Sequence, residues 1–268
     1  MSTYVIGETY GCYKELQLLL EKINYNQKYD EILFTGNHIN KKKNSLKLIN
    51  YIKNMGKNTV SILGNNDITI LSLANNKNIY NITGFDDILK SKKKIEILNW
   101  IQYLPLLHFN KLYNTIIVHA GLYPFWDVKK TINYAKKAEK LLQTSNYKII
   151  LKNINFNNVN IWNNKYNLIQ KYQFIINTLT NMTICNNKGY LNINFKNTFK
   201  NIPHKFKPWF MINEKKFDKT NIIFGNWKEL LGITHKKNIT AMNMGISQGL
   251  YLSALNLKTK DKYYIKKL

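Results

Sequence analysis

Three times within its first 75 residues the chain runs from a short β-type apolar stretch into a glycine, and then into a helical apolar pattern. Tyr4-Val5-Ile6 leads into Gly7, after which Leu16, Leu19, Leu20 and Ile23 recur at helical spacing. Ile32-Leu33-Phe34-Thr35 leads into Gly36 and a run with Leu46, Ile49 and Ile52 on one face. Thr59 to Leu63 leads into Gly64, and a helical run from Asp67 to Ala74 follows. Strands joined through a helix pair in parallel, because the crossover returns the chain to the same edge. In sheets of parallel strands, sites form in the crevice beyond the carboxyl ends. The polar residues after Ile6, Thr35 and Leu63 are therefore expected to converge. A fourth β-type run, Ile116-Ile117-Val118, leads into His119-Ala120-Gly121.

The stretch from about 127 to 182 reads as mainly helical, with Ala135, Ala138, Leu141 and Leu142, then Leu168, Tyr172, Ile175, Ile176 and Leu179 at helical spacing. The asparagine-rich segment Asn153 to Asn164 reads as a loop. From Gly189 onward the pattern turns to strands: Tyr190 to Phe195, Asn221 to Phe224, Ile239 to Met242, Leu250 to Leu255 and Tyr263 to Ile265. These suggest a second sheet. The expectation is an α/β fold of two packed mixed β-sheets flanked by helices, as one domain over residues 1–268 with 127–182 as a helical insertion.

The formal net charge is +25, and all 40 basic residues are lysine. A charge of that size opens a nucleic-acid reading. Lysine, asparagine, isoleucine and tyrosine, all heavily used here, have A/T-rich codons, so mutational bias explains the composition better. A sequence-specific DNA reader would also use arginine for bidentate contacts with guanine. No apolar run is long enough to span a membrane. The amino-terminal residues do not form a signal peptide, and Cys12 and Cys185 suit a reducing compartment. A cytoplasmic monomer, off the membrane and without specific nucleic-acid binding, is expected.

Five segments that follow strands carry the chemistry. They are Gly7-Glu8-Thr9-Tyr10-Gly11, Gly36-Asn37-His38-Ile39-Asn40, Gly64-Asn65-Asn66-Asp67, Val118-His119-Ala120-Gly121 and Phe224-Gly225-Asn226-Trp227. In this order and spacing they resemble the metallophosphoesterase signature G-D-x-H-G, G-D, G-N-H-D, H-A-G and G-H-W. A closer resemblance, over nearly the whole chain, is to the symmetrical diadenosine tetraphosphatases of bacteria. It rests on Ser2-Thr3-Tyr4 with Gly11-Cys12-Tyr13, on Leu98-Asn99-Trp100, on Leu104-Pro105-Leu106-Leu107, on His119 through Asp127, and on Lys207-Pro208-Trp209-Phe210.

The resemblance implies an αββα sandwich and a cytosolic hydrolase that splits a dinucleoside tetraphosphate into two nucleoside diphosphates. It implies two divalent cations, manganese or cobalt, about 3.5–4 Å apart, clamping the attacking and leaving oxygens. It places the metal-ligand positions at Glu8, Tyr10, Asn37, Asn65, His119 and Asn226, and the proton donor with its orienting partner at Asn66 and Asp67. Lys41 falls where the family has an arginine, and Asn243 where it usually has an aspartate. Trp126 and Trp209 are candidates for substrate contact, although both are as readily core residues.

The residues depart from that pattern in one direction. Only Asn65 and His119 are identical to the usual ligands, and Glu8 is a longer carboxylate. Asn37 replaces the bridging aspartate, Tyr10 and Asn226 replace histidines, and Asn66 replaces the acid. An amide carries no charge to offset two dications. Asparagine hydrogen-bonds but cannot donate a proton as an acid, a role worth about 10²–10⁴-fold. Two alternatives to an active hydrolase therefore stand: an impaired relative that binds nucleotides, and a basic nucleic-acid-binding protein. Of the remaining candidates, His38 lies close enough to serve as a substitute ligand, Tyr10 could pack on the first helix, and Asp127 reads as a helix N-cap.

Overall fold

Val5, Leu33 and Ile62 are buried between the two β-sheets, against Ile117, Ile223, Met242 and Leu255. Their strand neighbours point the other way, as the period of two requires. Tyr4, Ile6, Ile32 and Phe34 face one helical layer, and Ile116, Val118, Ile222 and Phe224 face another. Each fully buried aliphatic side chain contributes about 1.5–3 kcal/mol, so this alternation fixes the layers and the register together. The structure is a computed structural model that describes residues 1–40, 45–74, 84–152, 154 and 159–268.

In chain order the elements are β1 (Thr3–Ile6), α1 (Tyr13–Lys22), β2 (Glu31–Phe34), α2 (Ser45–Lys53), β3 (Thr59–Ser61), α3 (Asn65–Ala74), α4 (Asp86–Leu89), α5 (Lys94–Gln102), β4 (Leu107–Asn110) and β5 (Thr115–Val118). Then come α6 (Val128–Leu142), α7 (Tyr147–Leu151), α8 (Leu168–Asn181), β6 (Ile184–Asn186), β7 (Leu191–Asn192), β8 (Phe206–Pro208), β9 (Asn221–Phe224), β10 (Ile239–Ala241), β11 (Tyr251–Asn256) and β12 (Lys262–Lys266). One sheet has the order β12-β11-β1-β2-β3, and the facing sheet has the order β10-β9-β5-β4. β1, β2 and β3 pair in parallel, as do β5, β9 and β10. The fold class expected from the sequence is the one observed, a mixed α/β sandwich with helices outside.

Two expectations about the second half are corrected. The late strands do not form a sheet of their own. β9 and β10 extend the sheet of β5, while β11 and β12 complete the first sheet, with β11 antiparallel to β1. Alternation alone cannot choose between these partners. Second, a small third sheet, β7-β6-β8, occupies 184–208, where one strand from Tyr190 to Phe195 was expected. Only Leu191–Asn192 of that stretch is strand. The helices of 127–182 are present, and Asp127 caps α6 by accepting from the Lys130 amide at 2.6 Å. In the expected loop Asn153 to Asn164, residues 154 and 159–164 carry no helix or strand, and the others lie outside the described residues.

Candidate active site

The loops after β1, β2, β3, β5, β9 and β10 all leave the carboxyl ends of parallel strands, and they meet. Glu8, Asn37, Asn65, His119 and Asn243 are joined by direct contacts. Asn37 Nδ2 donates to Glu8 Oε1 at 2.7 Å and to Asn65 Oδ1 at 2.8 Å. Tyr10 OH donates to Glu8 Oε1 at 3.2 Å, and Asn243 Nδ2 donates to Glu8 Oε2. His119 Nε2 lies 3.2 Å from Asn65 Oδ1 and 3.4 Å from Glu8 Oε1. Asn226 comes within reach of the group through Lys196, whose Nζ donates to Asn226 Oδ1 at 3.1 Å.

Backbone shape holds these side chains in place. Tyr10, Asn37 and Asn226 have φ of 43°, 54° and 51°. Asparagine tolerates the left-handed region, but a tyrosine there is unusual. Strain of this kind concentrates at functional sites, where the surroundings over-determine the chain. Gly64 permits the closest approach: a Cβ there would stand 2.2 Å from Asn37 Oδ1. Asp67 accepts from the Gly64 and Asn37 backbone amides at 2.8 and 3.1 Å, locking the second and third loops together.

Burial sets the charges. It pushes the Glu8 carboxyl up to about 8, against the hydrogen bonds from Asn37 and Tyr10 and the positive charge of Lys196. It pushes Asp67 up to about 7, opposed by the two backbone amides. It pushes the His119 imidazolium down to about 3, so His119 is neutral at physiological pH and makes no ion pair with Glu8. Its Nδ1 faces the Thr35 carbonyl at 2.7 Å and so carries the hydrogen, which leaves the Nε2 lone pair aimed into the site. Burial also pushes the Tyr10 phenol well above its usual value, with the charge of Glu8 adding to it.

Several candidates stand elsewhere. Trp126 is 1 % exposed, within the aromatic cluster of Tyr123, Tyr134, Trp162 and Phe174. Trp209 is fully buried against Phe210, Phe217 and Phe224 and under Gly121, where a Cβ would meet its indole at 2.6 Å. Both tryptophans are packed in the core. His38 is buried between Thr9 and Ser61 and packs edge-on against Phe34, so it is not a substitute ligand. Asn66 Nδ2 donates to the Ile39 carbonyl at 3.2 Å, turning its side chain to the second loop. Tyr10 does more than pack near α1, since its hydroxyl joins the Glu8 network. Lys41 lies outside the described residues. Sequence reasoning missed Lys196 altogether, because it sits among scattered lysines with no motif around it. A cavity of about 570 Å³ lined by His235, Lys236, Lys260 and Lys262 shares none of these residues.

The fold and this ring of loops define a phosphoesterase of the αββα sandwich type. Residues 1–161 match the calcineurin-like phosphoesterase family model. A relative from Coxiella burnetii (strain Dugway 5J108-111), a symmetrical bis(5'-nucleosyl)-tetraphosphatase, is 32% identical over 98% of this chain and 91% of its own length. A second, of the same name, from Haemophilus ducreyi, is 32% identical over 97% of each chain. A solved structure described as a supposed diadenosine tetraphosphatase superposes with a TM-score of 0.67 over 100% of this chain and 94% of its own, at 17% identity. A serine/threonine phosphatase from Saccharomyces cerevisiae has the same fold at a TM-score of 0.54 and 11% identity, over 100% of this chain and 79% of its own. The chain belongs to the calcineurin-like phosphoesterases and, within them, to the family of symmetrical bis(5'-nucleosyl)-tetraphosphatases.

That family uses divalent metal. The residues present here do not fit a pair of dications. Both Glu8 oxygens, Asn65 Oδ1 and Asn226 Oδ1 already accept hydrogen bonds from protein donors. Asn37 Nδ2 occupies the point between Glu8 and Asn65 where a cation would need to stand. No group of three His, Cys, Asp or Glu side chains suited to a metal occurs among the described residues.

Proposed function

We propose that the chain is a dinucleoside tetraphosphate hydrolase that cleaves the anhydride symmetrically to two nucleoside diphosphates, slowly, as a single-domain cytoplasmic monomer. The observation that supports this is the meeting of the family-specific loops in one crevice, on a chain alignable with such hydrolases over nearly its full length. No helix among the described residues is long and apolar enough to cross a membrane.

The roles of the site residues belong to this proposal. Asp67 fixes the second and third loops through the Asn37 and Gly64 amides. His119 presents a neutral Nε2 lone pair, and Glu8 supplies a carboxyl group that burial keeps largely protonated at neutral pH. Asn66 can orient a leaving oxygen but cannot protonate it, so turnover falls about 10²–10⁴-fold below that of a relative with an acid at this position. The test is ADP release from diadenosine tetraphosphate, measured with manganese, with cobalt and with a chelator. ADP as the sole nucleotide product supports the proposal. No ADP above the uncatalysed rate in any condition refutes it. That result would leave binding without turnover as the alternative.

A further inference from the structure

We propose that Lys196 is a phosphate-binding residue that takes over a metal cation's electrostatic role, so that this site holds a polyphosphate without divalent metal. This rests on the dinucleoside polyphosphate reading above for its substrate, but not for its chemistry.

Lys196 reaches the position where the family's last histidine would hold a metal, now Asn226. The Asn226 amide is fixed from both ends. Its Nδ2 donates to the Asn181 carbonyl at 3.2 Å, and its Oδ1 accepts from Lys196 Nζ at 3.1 Å. The segment that carries Lys196 is pinned on either side. Thr183 Oγ1 donates to the Phe195 carbonyl at 3.0 Å, and Trp227 Nε1 donates to the Asn197 carbonyl at 2.8 Å. Phe195 also packs edge-on against Trp227 with ring centroids 6.0 Å apart. A lysine held at both neighbours and at its tip is directed inward.

Its charge is felt at Glu8, although the two form no ion pair within 4.0 Å. Lys196 is exposed as a residue, while burial around its ammonium lowers its pKa, opposed by the charges of Glu8 and Glu229. The donors gathered on the neighbouring Glu8 are Asn37 Nδ2, Asn243 Nδ2 and the Tyr10 hydroxyl. These replace cations by N–H and O–H groups, and Lys196 supplies a positive charge. Phosphate oxygens accept from such groups, and an ammonium binds them as a point charge. A metal pair would have to displace this arrangement before it could bind.

The probes are diadenosine tetraphosphate and inorganic tripolyphosphate, titrated calorimetrically into the full chain at physiological salt. Each is run with a chelator and again with manganese. Diadenosine tetraphosphate and tripolyphosphate are both expected to bind, with affinity unchanged by the chelator. Lys196→Met is expected to weaken both about 10- to 100-fold, the worth of a charge-assisted contact. Lys196→Arg should keep most of the affinity. Lys129→Met, an exposed change on α6, should leave it unaltered, which separates a site from the general attraction of a basic surface. Unchanged melting temperatures would show that each variant folds. Binding abolished by the chelator, or Lys196→Met binding like the parent, overturns the proposal. Tripolyphosphate binding that Lys196→Met removes, with no binding of diadenosine tetraphosphate, sustains the lysine site and rejects the dinucleoside reading.

Discussion

Asn37 Nδ2 stands 2.7 Å from Glu8 Oε1, so a neutral amide bridges oxygens that a cation would otherwise hold together. Asn37→Asp removes that donor and sets a second carboxylate beside Glu8. Without metal, the loss of a satisfied buried partner should cost about 1–3 kcal/mol in urea unfolding. Adding Tyr10→His, Asn66→His and Asn226→His to it should restore manganese binding. Metal at a hundredfold excess over its dissociation constant would then stabilise the fold by about 2.7 kcal/mol. A quadruple variant whose melting temperature ignores manganese would show that these positions do not form a ligand set.

Stability should depend on pH through Glu8. Its folded-state pKa is raised by burial from 4.5 to about 8. Between those values the folded chain binds more protons than the unfolded one, so stability falls as pH rises across that window. Glu8→Gln should flatten this part of the curve, raising the melting temperature at pH 8 relative to that of the parent. Buried His38 and His119 act in the opposite sense below pH 6.5, so the difference between the parent and Glu8→Gln is the readout; a difference that stays constant from pH 5 to 8 would contradict the assignment.

Gly64→Ala should be severely destabilising for a reason of space. The new Cβ would meet Asn37 Oδ1 at 2.2 Å and the Asn37 amide nitrogen at 2.7 Å. One of these is backbone, so the loop must move, at a cost of about 1–3 kcal/mol or more. Urea denaturation reads it directly, and a loss under about 0.5 kcal/mol would mean that the loops approach less closely than they do here.

Trp126→Ala separates core from substrate contact. Removal of an indole that is 1 % exposed should cost about 3–5 kcal/mol. Affinity of the remaining folded protein for diadenosine tetraphosphate should be unchanged. A variant that stays stable but loses nucleotide affinity would return Trp126 to the binding surface.

The first half of the fold was legible because its signals are local. Gly7, Gly36 and Gly64 each end a strand, and the helical spacing after each fixes a parallel neighbour. The site positions followed from the same units. Pairing across long separations was not legible: nothing in Leu250 to Leu255 says whether it joins β9 or β1, since both offer an apolar edge. Strand β4 was missed although Leu107 to Asn110 alternates apolar and polar side chains, because four residues are too short a run for that pattern to stand out. The departures from the ligand pattern could be read from sequence. Their physical result, a closed ring of hydrogen bonds, could not, because it depends on which way Asn37, Asn226 and Asn243 turn their amides. Lys196 escaped notice for the same reason, as its neighbours Phe195 and Asn197 are anchored by residues distant in the chain.

The antiparallel partner of β1 is β11, with Tyr4 opposite Asn256. Tyr4 therefore has its edge covered only once a segment 252 residues further along the chain (256 − 4) has arrived. Until then β1 through β3 expose an open border, a template for pairing with other chains. Contacts this distant in sequence make for slow closure. Vulnerability to aggregation should therefore be greatest during folding, before β11 arrives, and not in the folded protein.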